Sequence, residues 1–396
     1  MNLTVSPSGL GDDAPNINAA IGSVAAAGGG NVILKAGRYL VQSQIVVQTN
    51  VCLFGTGKVA YVWANPGRIS GGSIIEVHWG SGGNSANHSD SAAVILRSGA
   101  AIENVGFDYP DQLPDLASPI EWGSTVQICD PVYGNLNQRI ADCYFFKSYF
   151  AIDARGSLGG NLSSANLRIS GCVGSPLSIG IAADFIADWA TIEDCNFNAG
   201  QINPYNPKCG LIDWVSRYGQ AVFLGGCDWV VLDGIQAWGY GTGCSIIGGS
   251  GYAGSGPYCF DGCQFDACWS GVNIGGTVEQ VVKITNCNFA SFRATDSARG
   301  ASVSVSNGVQ LKSGLQFTNN YIFGPSNNVF WAGQQNQLIC NVMVSNNIAN
   351  VTPSGDIAIV ISNGQNVQVF GNVFKNFNNL VSLGSSTNVV TEWNQT

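Results

Sequence analysis

Residues Ile192-Glu-Asp-Cys-Asn-Phe197 and Ile284-Thr-Asn-Cys-Asn-Phe289 are two copies of one phrase. It consists of an apolar residue, any residue, then Asn, Asp or Gly, then Cys, Asn or a small residue, often with an aromatic two places on. Further copies are Ile102-Glu-Asn-Val-Gly-Phe107, Ile140-Ala-Asp-Cys-Tyr-Phe145, Ile169-Ser-Gly-Cys172 and Phe260-Asp-Gly-Cys-Gln-Phe265. Phe317-Thr-Asn-Asn320, Val344-Ser-Asn-Asn347 and Val369-Phe-Gly-Asn-Val-Phe374 continue it, and Val231-Leu-Asp-Gly-Ile235 is a weaker copy. The copies are spaced by roughly 23 to 39 residues, a period that marks a repeat architecture. Short apolar alternations broken by Gly and Asn make the unit a strand rather than a helix pair. A propeller would need a more even period. The fold expected is all-β, a right-handed parallel β-helix (a β-solenoid) with a short N-terminal capping helix. Its longest steps, after Asn104 and after Asp194, are expected to be loops on one side.

The fourth position of the phrase carries Cys143, Cys172, Cys195, Cys263 and Cys287, then Asn320, Asn347 and Asn372. Equivalent positions of a solenoid stack about 4.8 Å apart. A buried thiol column passing into an asparagine column is therefore expected, with side-chain amides bonded along the axis. Thirteen cysteines is an odd number, and no pair of C-x2-C motifs suggests zinc. The thiols read as small apolar fillers.

Residues 1–40 form the expected cap and 41–396 the parallel β-helix. Asp13 is the expected N-cap, with Pro15 in the first turn and Ile17, Ile21 and Val24 on the apolar face. Gly28-Gly29-Gly30 ends the helix, which would cover open strand edges at that end. No comparable cap is visible in Glu392-Trp393-Asn394-Gln395-Thr396. The N-terminus lacks the basic and apolar regions of a signal peptide, and no long apolar stretch would form a transmembrane segment. The location expected is a virion tail or the extracellular space.

The 396 residues are only 10% charged, where an ordinary protein has about 25%. The net charge of −9 argues against nucleic-acid binding, which needs a basic stripe. A hydrophobic fraction of 45% argues against disorder.

Gly11-Asp12-Asp13, Ala19-Ala20-Ile21, Gly28 to Leu34 and Gly37-Arg38-Tyr39 resemble the start of pectate-lyase-superfamily proteins. That group includes the glycoside hydrolase family 28-related proteins and many bacteriophage tailspikes. Lys35 departs from it, standing where the family often has Pro. Phe107-Asp108-Tyr109-Pro110-Asp111-Gln112, Tyr218 to Phe223 and Cys227-Asp228-Trp229 are similar to phage and bacterial members. The resemblance implies a right-handed β-helix, commonly a homotrimer in tailspikes, acting on polysaccharide. It implies no particular linkage or catalytic set.

Acids are the chemical resource in so uncharged a chain. Asp153, Asp184 and Asp213 each close a short apolar run, and the repeat aligns them, within a residue or two, at one strand end in successive coils. Carboxylates about 5 or 10 Å apart would bracket the needs of retaining and inverting glycosidases. The bland alternative is that each ends its strand in an Asx-turn. Asp184 and Asp213 are the first choices as acid and base, with Asp153, Asp188 and Asp228 in reserve. Trp189, Trp214 and Trp229 each follow an Asp, and Trp238 and Trp269 lie in later coils. Trp189, Trp214, Trp229, Trp238 and Arg217 are the expected sugar contacts, against the alternative of plain packing. Arg155, Arg217 and Lys208 could instead bind an acidic glycan or serve a lyase. His78 and His88 suggest neither a triad nor a metal site, and no cofactor is expected.

The function expected is that of a tailspike-type protein that binds and depolymerises a bacterial surface polysaccharide by acid/base glycoside hydrolysis. The alternatives are a non-catalytic glycan-binding or structural virion protein, and a polysaccharide lyase. The partners expected are the polysaccharide, copies of the same chain in a homotrimer and other virion tail proteins, with no nucleic acid and no membrane insertion.

Overall fold

Each copy of the phrase folds as a strand, a sharp bend and a second strand. The computed structural model describes residues 1–9, 11–82, 91–132, 134–155, 164–248, 255–290, 300–306, 308–324, 328–333 and 338–392. His88 and residues 393–396, which include Trp393, lie outside the described residues. The chain divides into two compact units, Met1–Val215 and Ser216–Thr396.

In the first unit, strands Asn2–Val5, Gly30–Leu34, Val51–Gly55, Ala101–Glu103, Arg139–Ala141, Leu167–Ser170 and Ala190–Glu193 run parallel, each beside the next. The register pairs Ile102 with Ile140, Ile140 with Ile169 and Ile169 with Ile192, and all four are buried. A second parallel run follows the bend: Gly37–Val41, Ser73–Val77, Val105–Asp108, Tyr144–Phe146, Val173–Ser175 and Asn196–Asn198. A third contains Ile45–Val47, Val94–Leu96, Ser124–Ile128, Phe150–Arg155 and Ile179–Asp184. A coil therefore carries up to three strands.

The second unit repeats the pattern. Asp228–Asp233, Gly256–Asp261, Val282–Thr285, Leu315–Thr318, Leu338–Ser345, Gly364–Phe370 and Thr387–Glu392 form its first run. Phe260, Ile284, Phe317, Val344 and Val369 hold one column. One copy was misaligned: Leu232, not Val231, pairs with Phe260. The phrase there begins at Leu232, so Ile235 takes the fourth position. An outward Val231 beside a buried Leu232 hid that one-residue slip, since both are apolar.

The bend explains the third position. Asn104, Asp142, Gly171, Asp194, Gly234, Gly262, Asn286, Asn319, Asn346 and Gly371 all have φ between 52° and 67°. Only Gly, and more weakly Asn and Asp, enter that left-handed region readily. The bend also joins coils: Asp142 N–H donates to Ser170 O at 2.9 Å, and Asn319 N–H to Ser345 O at 3.1 Å.

Behind the bend lies the fourth-position column. Cys143, Cys172, Cys195, Cys263 and Cys287 are fully buried, and all thirteen cysteines are free thiols. The asparagines continue as a bonded ladder. Asn320 Nδ2 donates to Asn347 Oδ1 at 3.0 Å, and Asn347 Nδ2 to Asn372 Oδ1 at 2.9 Å. The aromatic two places on is buried too. Phe107 and Phe145 stack with centroids 5.3 Å apart and planes 8° from parallel.

Helix Ala14–Ala26 buries Ala14, Ile17, Ile21 and Val24. Asp13 precedes it without a side-chain cap; its carboxylate accepts from Ser8 N–H and Leu40 N–H instead. Asp12 accepts from Ala14 N–H and Gln42 N–H. Burial opposes ionisation of Asp12, but hydrogen bonds from Gln42, Ser43 and Ala14 win and hold its carboxyl below the usual range. The step after Asp194 is more than a loop. It contains helix Gly210–Tyr218, whose Leu211 N–H donates to Pro114 O at 3.0 Å. Pro114 belongs to the step after Asn104, so the two long insertions pack together. No helix among the described residues is long and apolar enough to cross a membrane.

Candidate functional site

A strand in a solenoid wall points alternate side chains inward and outward. On Leu167–Ser170 and Ala190–Glu193, Leu167, Ile169, Ala190 and Ile192 are buried, so Arg168, Thr191 and Glu193 face out. Trp189 precedes the second strand and is 52% exposed, a large apolar surface for a residue usually buried. Its indole N–H donates to Thr191 Oγ1 at 2.8 Å, which fixes the ring. Asn166, Leu167, Arg168, Trp189, Thr191 and Glu193 line a shallow groove. Arg168 pairs in register with Arg139 on one side and Thr191 on the other. Arg139 is engaged by Glu103 at 3.2 Å. An aromatic platform with a cation, a hydroxyl and a carboxylate beside it can stack on a sugar ring and hydrogen-bond its hydroxyls.

Of the three acids expected at one strand end, Asp153 and Asp184 stand near the ends of two paired strands and Asp213 does not. Asp153 pairs with Ala182, and Arg155 pairs with Asp184. Asp184 is therefore displaced by two residues from Asp153, although it keeps the same face. Asp213 is on helix Gly210–Tyr218, not at a strand end. The apolar run before Asp213 suggested a strand, but Leu211, Ile212 and Val215 are the buried apolar residues of a helix. Asp153 is 1% exposed and closed off by Arg155, with Nε at 2.9 Å and Nη2 at 2.8 Å, and by Ser124 Oγ at 3.0 Å. A carboxylate so enclosed positions Arg155 and has no room for substrate. Asp184 is half-buried and accepts from Phe185 N–H at 2.8 Å. Asp188 and Asp213 are exposed, and Asp228 is half-buried at the start of its strand. Arg217 and Lys208 are exposed, while Trp214, Trp238 and Trp269 are half-buried.

In the second unit, Trp229 is 52% exposed with φ of 49°. A non-glycine residue in that region costs about 1–2 kcal/mol. Trp238 pairs in register with Asp266 on the next coil, while Gln236 pairs with Gln264 and Gln264 with Asn288. These are half-buried or exposed polar groups on one outer face. Burial lifts the Asp266 carboxyl above the usual carboxylate range despite a hydrogen bond from Ala267 N–H. Asp266 is one residue sequence reasoning missed; its signal was the aromatic Trp238 one repeat earlier.

A second cluster also escaped notice. Arg38 bridges Glu76 and Asp108, the latter at 3.0 Å. Lys147 is buried, donates to Gln112 O at 3.1 Å and lies 5.0 Å over the Phe146 ring. Burial drives its ammonium below the usual lysine range, with Asp108 and Asp111 opposing the change. His78 Nδ1 lies 3.5 Å from Asp111 Oδ2. The first- and third-coil residues of this group are spaced too widely in sequence to be associated before the coils are stacked.

No protein-family model matches the chain, and no curated protein matches it in sequence. Solved structures do. The A-module of the Azotobacter vinelandii mannuronan C-5 epimerase AlgE6 is 17% identical, with a TM-score of 0.64 over 97% of this chain and 96% of that one. A tailspike protein mutant of E. coli bacteriophage HK620, in complex with a pentasaccharide, is 12% identical, with a TM-score of 0.59 over 98% of this chain and 78% of that one. Another mutant of that tailspike, in complex with a hexasaccharide, is 13% identical, with a TM-score of 0.55 over 98% and 77%. At such identities the likeness is one of fold. The chain is built as a parallel β-helix, and its resemblance to the pectate-lyase superfamily and to phage tailspikes holds at that level.

Proposed function

We propose that this protein binds a bacterial surface polysaccharide along its outer strand faces. The observation that carries the reading is Trp189, half exposed, its indole fixed by Thr191 and flanked by Arg168 and Glu193 in a groove. The fold shared with an oligosaccharide-bound tailspike and with a mannuronan epimerase supports it. In this reading the coils wind right-handed, as parallel crossovers do. Residues 1–40 act as the cap, helix Ala14–Ala26 covering the strand edges at that end. The protein works as a homotrimer on a virion tail, with other tail proteins as neighbours. Trp189, Trp214, Trp229, Trp238 and Arg217 are its proposed sugar contacts.

Hydrolysis of the bound glycan is the proposed chemistry. Asp184 and Asp213 remain the proposed acid and base, with Asp188 and Asp228 in reserve. Asp266, paired in register with Trp238 on the next coil and with a raised pKa, is a separate candidate proton donor on the second unit. The test is a panel of purified O-antigen and capsular polysaccharides and mannuronan, followed by binding and by new reducing ends. Binding by the wild type that drops at least tenfold in Trp189→Ala is expected. Failure of every glycan to bind would overturn the reading. Binding without new reducing ends over long incubation would leave a receptor-binding protein. New unsaturated uronate absorbance would make it a lyase.

A further inference from the structure

A second groove of the first unit lies around the bend from the one at Trp189. It measures about 470 Å³, against about 180 Å³ at Trp189, and falls in the size range of ligand sites. Lys58, Val59, Asn104, Asp142, Gly171 and Val173 line it. Asn104, Asp142 and Gly171 are the left-handed bend residues of three successive coils, so the groove follows the bend column. Its remaining wall is the start of a hairpin, strands Ala60–Val62 and Arg68–Ser70, inserted between Gly55 and Ser73.

That wall is held firmly. Val59 is buried against Ile69, Ile74, Tyr144 and Phe146. Asn104 Nδ2 donates to Gly55 O and to Gly57 O, both at 2.7 Å. Gly71, with φ of 76°, lets Lys58 O come close: a Cβ there would lie 2.8 Å from it. Lys58 is thus an exposed cation on a fixed backbone, which lowers the ordering cost of binding through it. Asp142 is exposed in the same groove, its Oδ1 where a Cβ on Gly171 would strike it. Neither charge forms an ion pair among the described residues. The two grooves share a rim. Glu193 lines the first and Gly171 the second, and Gly171 N–H donates to Glu193 O at 3.1 Å. Ser170, next to Gly171, pairs in register with Glu193. Each groove carries a cation, a carboxylate and an asparagine: Arg168, Glu193 and Asn166 in one, Lys58, Asp142 and Asn104 in the other.

We infer that the groove at Lys58 and Asp142 is a second subsite, which takes the continuation of an acidic polysaccharide chain seated at Trp189. The assignment rests on the glycan reading above and adds to it a site, a charge class and a minimum length. Lys58 and Arg168 place one cation in each groove for the acidic groups of the polymer. Asp142 and Glu193 accept from its hydroxyls. A short fragment fills one groove and gains nothing from the other. A chain that crosses the rim engages both, and its second engagement is intramolecular. A neutral glycan leaves both cations without a partner.

The experiment measures binding of mannuronan and the acidic capsular polysaccharides of the panel, each as intact polymer and as short fragments. The proteins are wild type, Lys58→Ala, Asp142→Asn and Trp189→Ala, with thermal unfolding to show that each is folded. Per mole of sugar, the wild type should hold polymer at least about tenfold more tightly than fragment. Lys58→Ala should remove most of that preference, and Asp142→Asn a smaller part, because its amide oxygen still accepts. Trp189→Ala should weaken polymer and fragment alike. A wild type without the preference, or a preference undiminished in both Lys58→Ala and Asp142→Asn, would overturn the inference and leave the glycan reading standing. Binding confined to neutral O-antigens would do the same. A wild type that binds no glycan would overturn both.

Discussion

Arg155 grips Asp153, two residues away on the same strand, through both Nε and Nη2 at 2.9 and 2.8 Å. The carboxylate is 1% exposed, so removing its charge leaves a guanidinium with 16% side-chain exposure unpaired. Breaking such a pair from one side costs about 3 kcal/mol. Asp153→Asn should therefore shift the urea unfolding midpoint down. A variant of undiminished stability that had lost glycan cleavage would return Asp153 to the catalytic candidates.

The asparagine ladder makes a sharper stability prediction. Asn347 Oδ1 accepts from both Asn320 N–H and Asn320 Nδ2, and its own Nδ2 donates to Phe317 O at 2.9 Å. Asn347→Leu would leave several buried polar groups without partners, at about 1–3 kcal/mol each. Cys263→Ala, at the equivalent fourth position, removes only a thiol directed at Leu232 O at 3.5 Å and Asp261 O at 3.4 Å and should cost less. Urea titration of both variants checks the order, and equal losses would show that the amides add nothing beyond volume.

The repeat was legible because two positions are constrained by backbone and core at once. The third position must tolerate left-handed φ, and the fourth must stack on its copies. Those demands survive in the letters of Asn286-Cys287 and Asn319-Asn320 alike. The acids were less legible. Asp213 follows Leu211 and Ile212 whether the segment is strand or helix, and only packing against Pro114 decides between them. Asp153 and Asp184 needed a register accurate to one residue, which loops between repeats blur. Asp266 and Lys147 owe their electrostatics to burial, which no single letter reports.

In the proposed glycan reading, Arg168 is the residue that would select the charge of the chain bound in the first-unit groove. It faces out beside Trp189, next to Arg139 in register. If the chain bound there is anionic, Arg168→Ala should weaken it about tenfold and added salt should weaken the wild type. The expected outcome is that mannuronan and acidic capsules show this dependence and neutral O-antigens do not. Affinity for acidic glycans that is flat in salt and unchanged by Arg168→Ala would remove the residue from the site.

Buried thiols make stability sensitive to alkali. Burial pushes Cys143 up to about 12, and burial together with nearby Glu103 does the same for Cys52, both from 9.0. Above pH 9 the unfolded chain releases these protons while the native state keeps them. The native state then binds more protons, so stability falls as pH rises, by about 1.4 kcal/mol per unit for each such thiol. Urea midpoints in the presence of reductant should drop between pH 9 and 10.5, and Cys143→Ala should drop less steeply. Parallel profiles for the two proteins would deny Cys143 its share.

The bend at Asn319 can be tested against its own column. Its φ of 58° is shared with Gly171, Gly234, Gly262 and Gly371, which occupy the same place in other coils. Asn319→Gly should be tolerated within a few tenths of a kcal/mol, because relief of the left-handed backbone offsets the entropy that glycine loses. Asn319→Ala should cost about 1 kcal/mol, and a β-branched Asn319→Val more, because Cβ then crowds the following carbonyl. The backbone N–H bonded to Ser345 O is present in all three, so the order isolates conformation from hydrogen bonding. Chemical denaturation of the three variants should give Gly, Ala and Val in falling stability. If Ala matched or exceeded Gly, the preference for Asn, Asp and Gly at the third position would need another cause than φ.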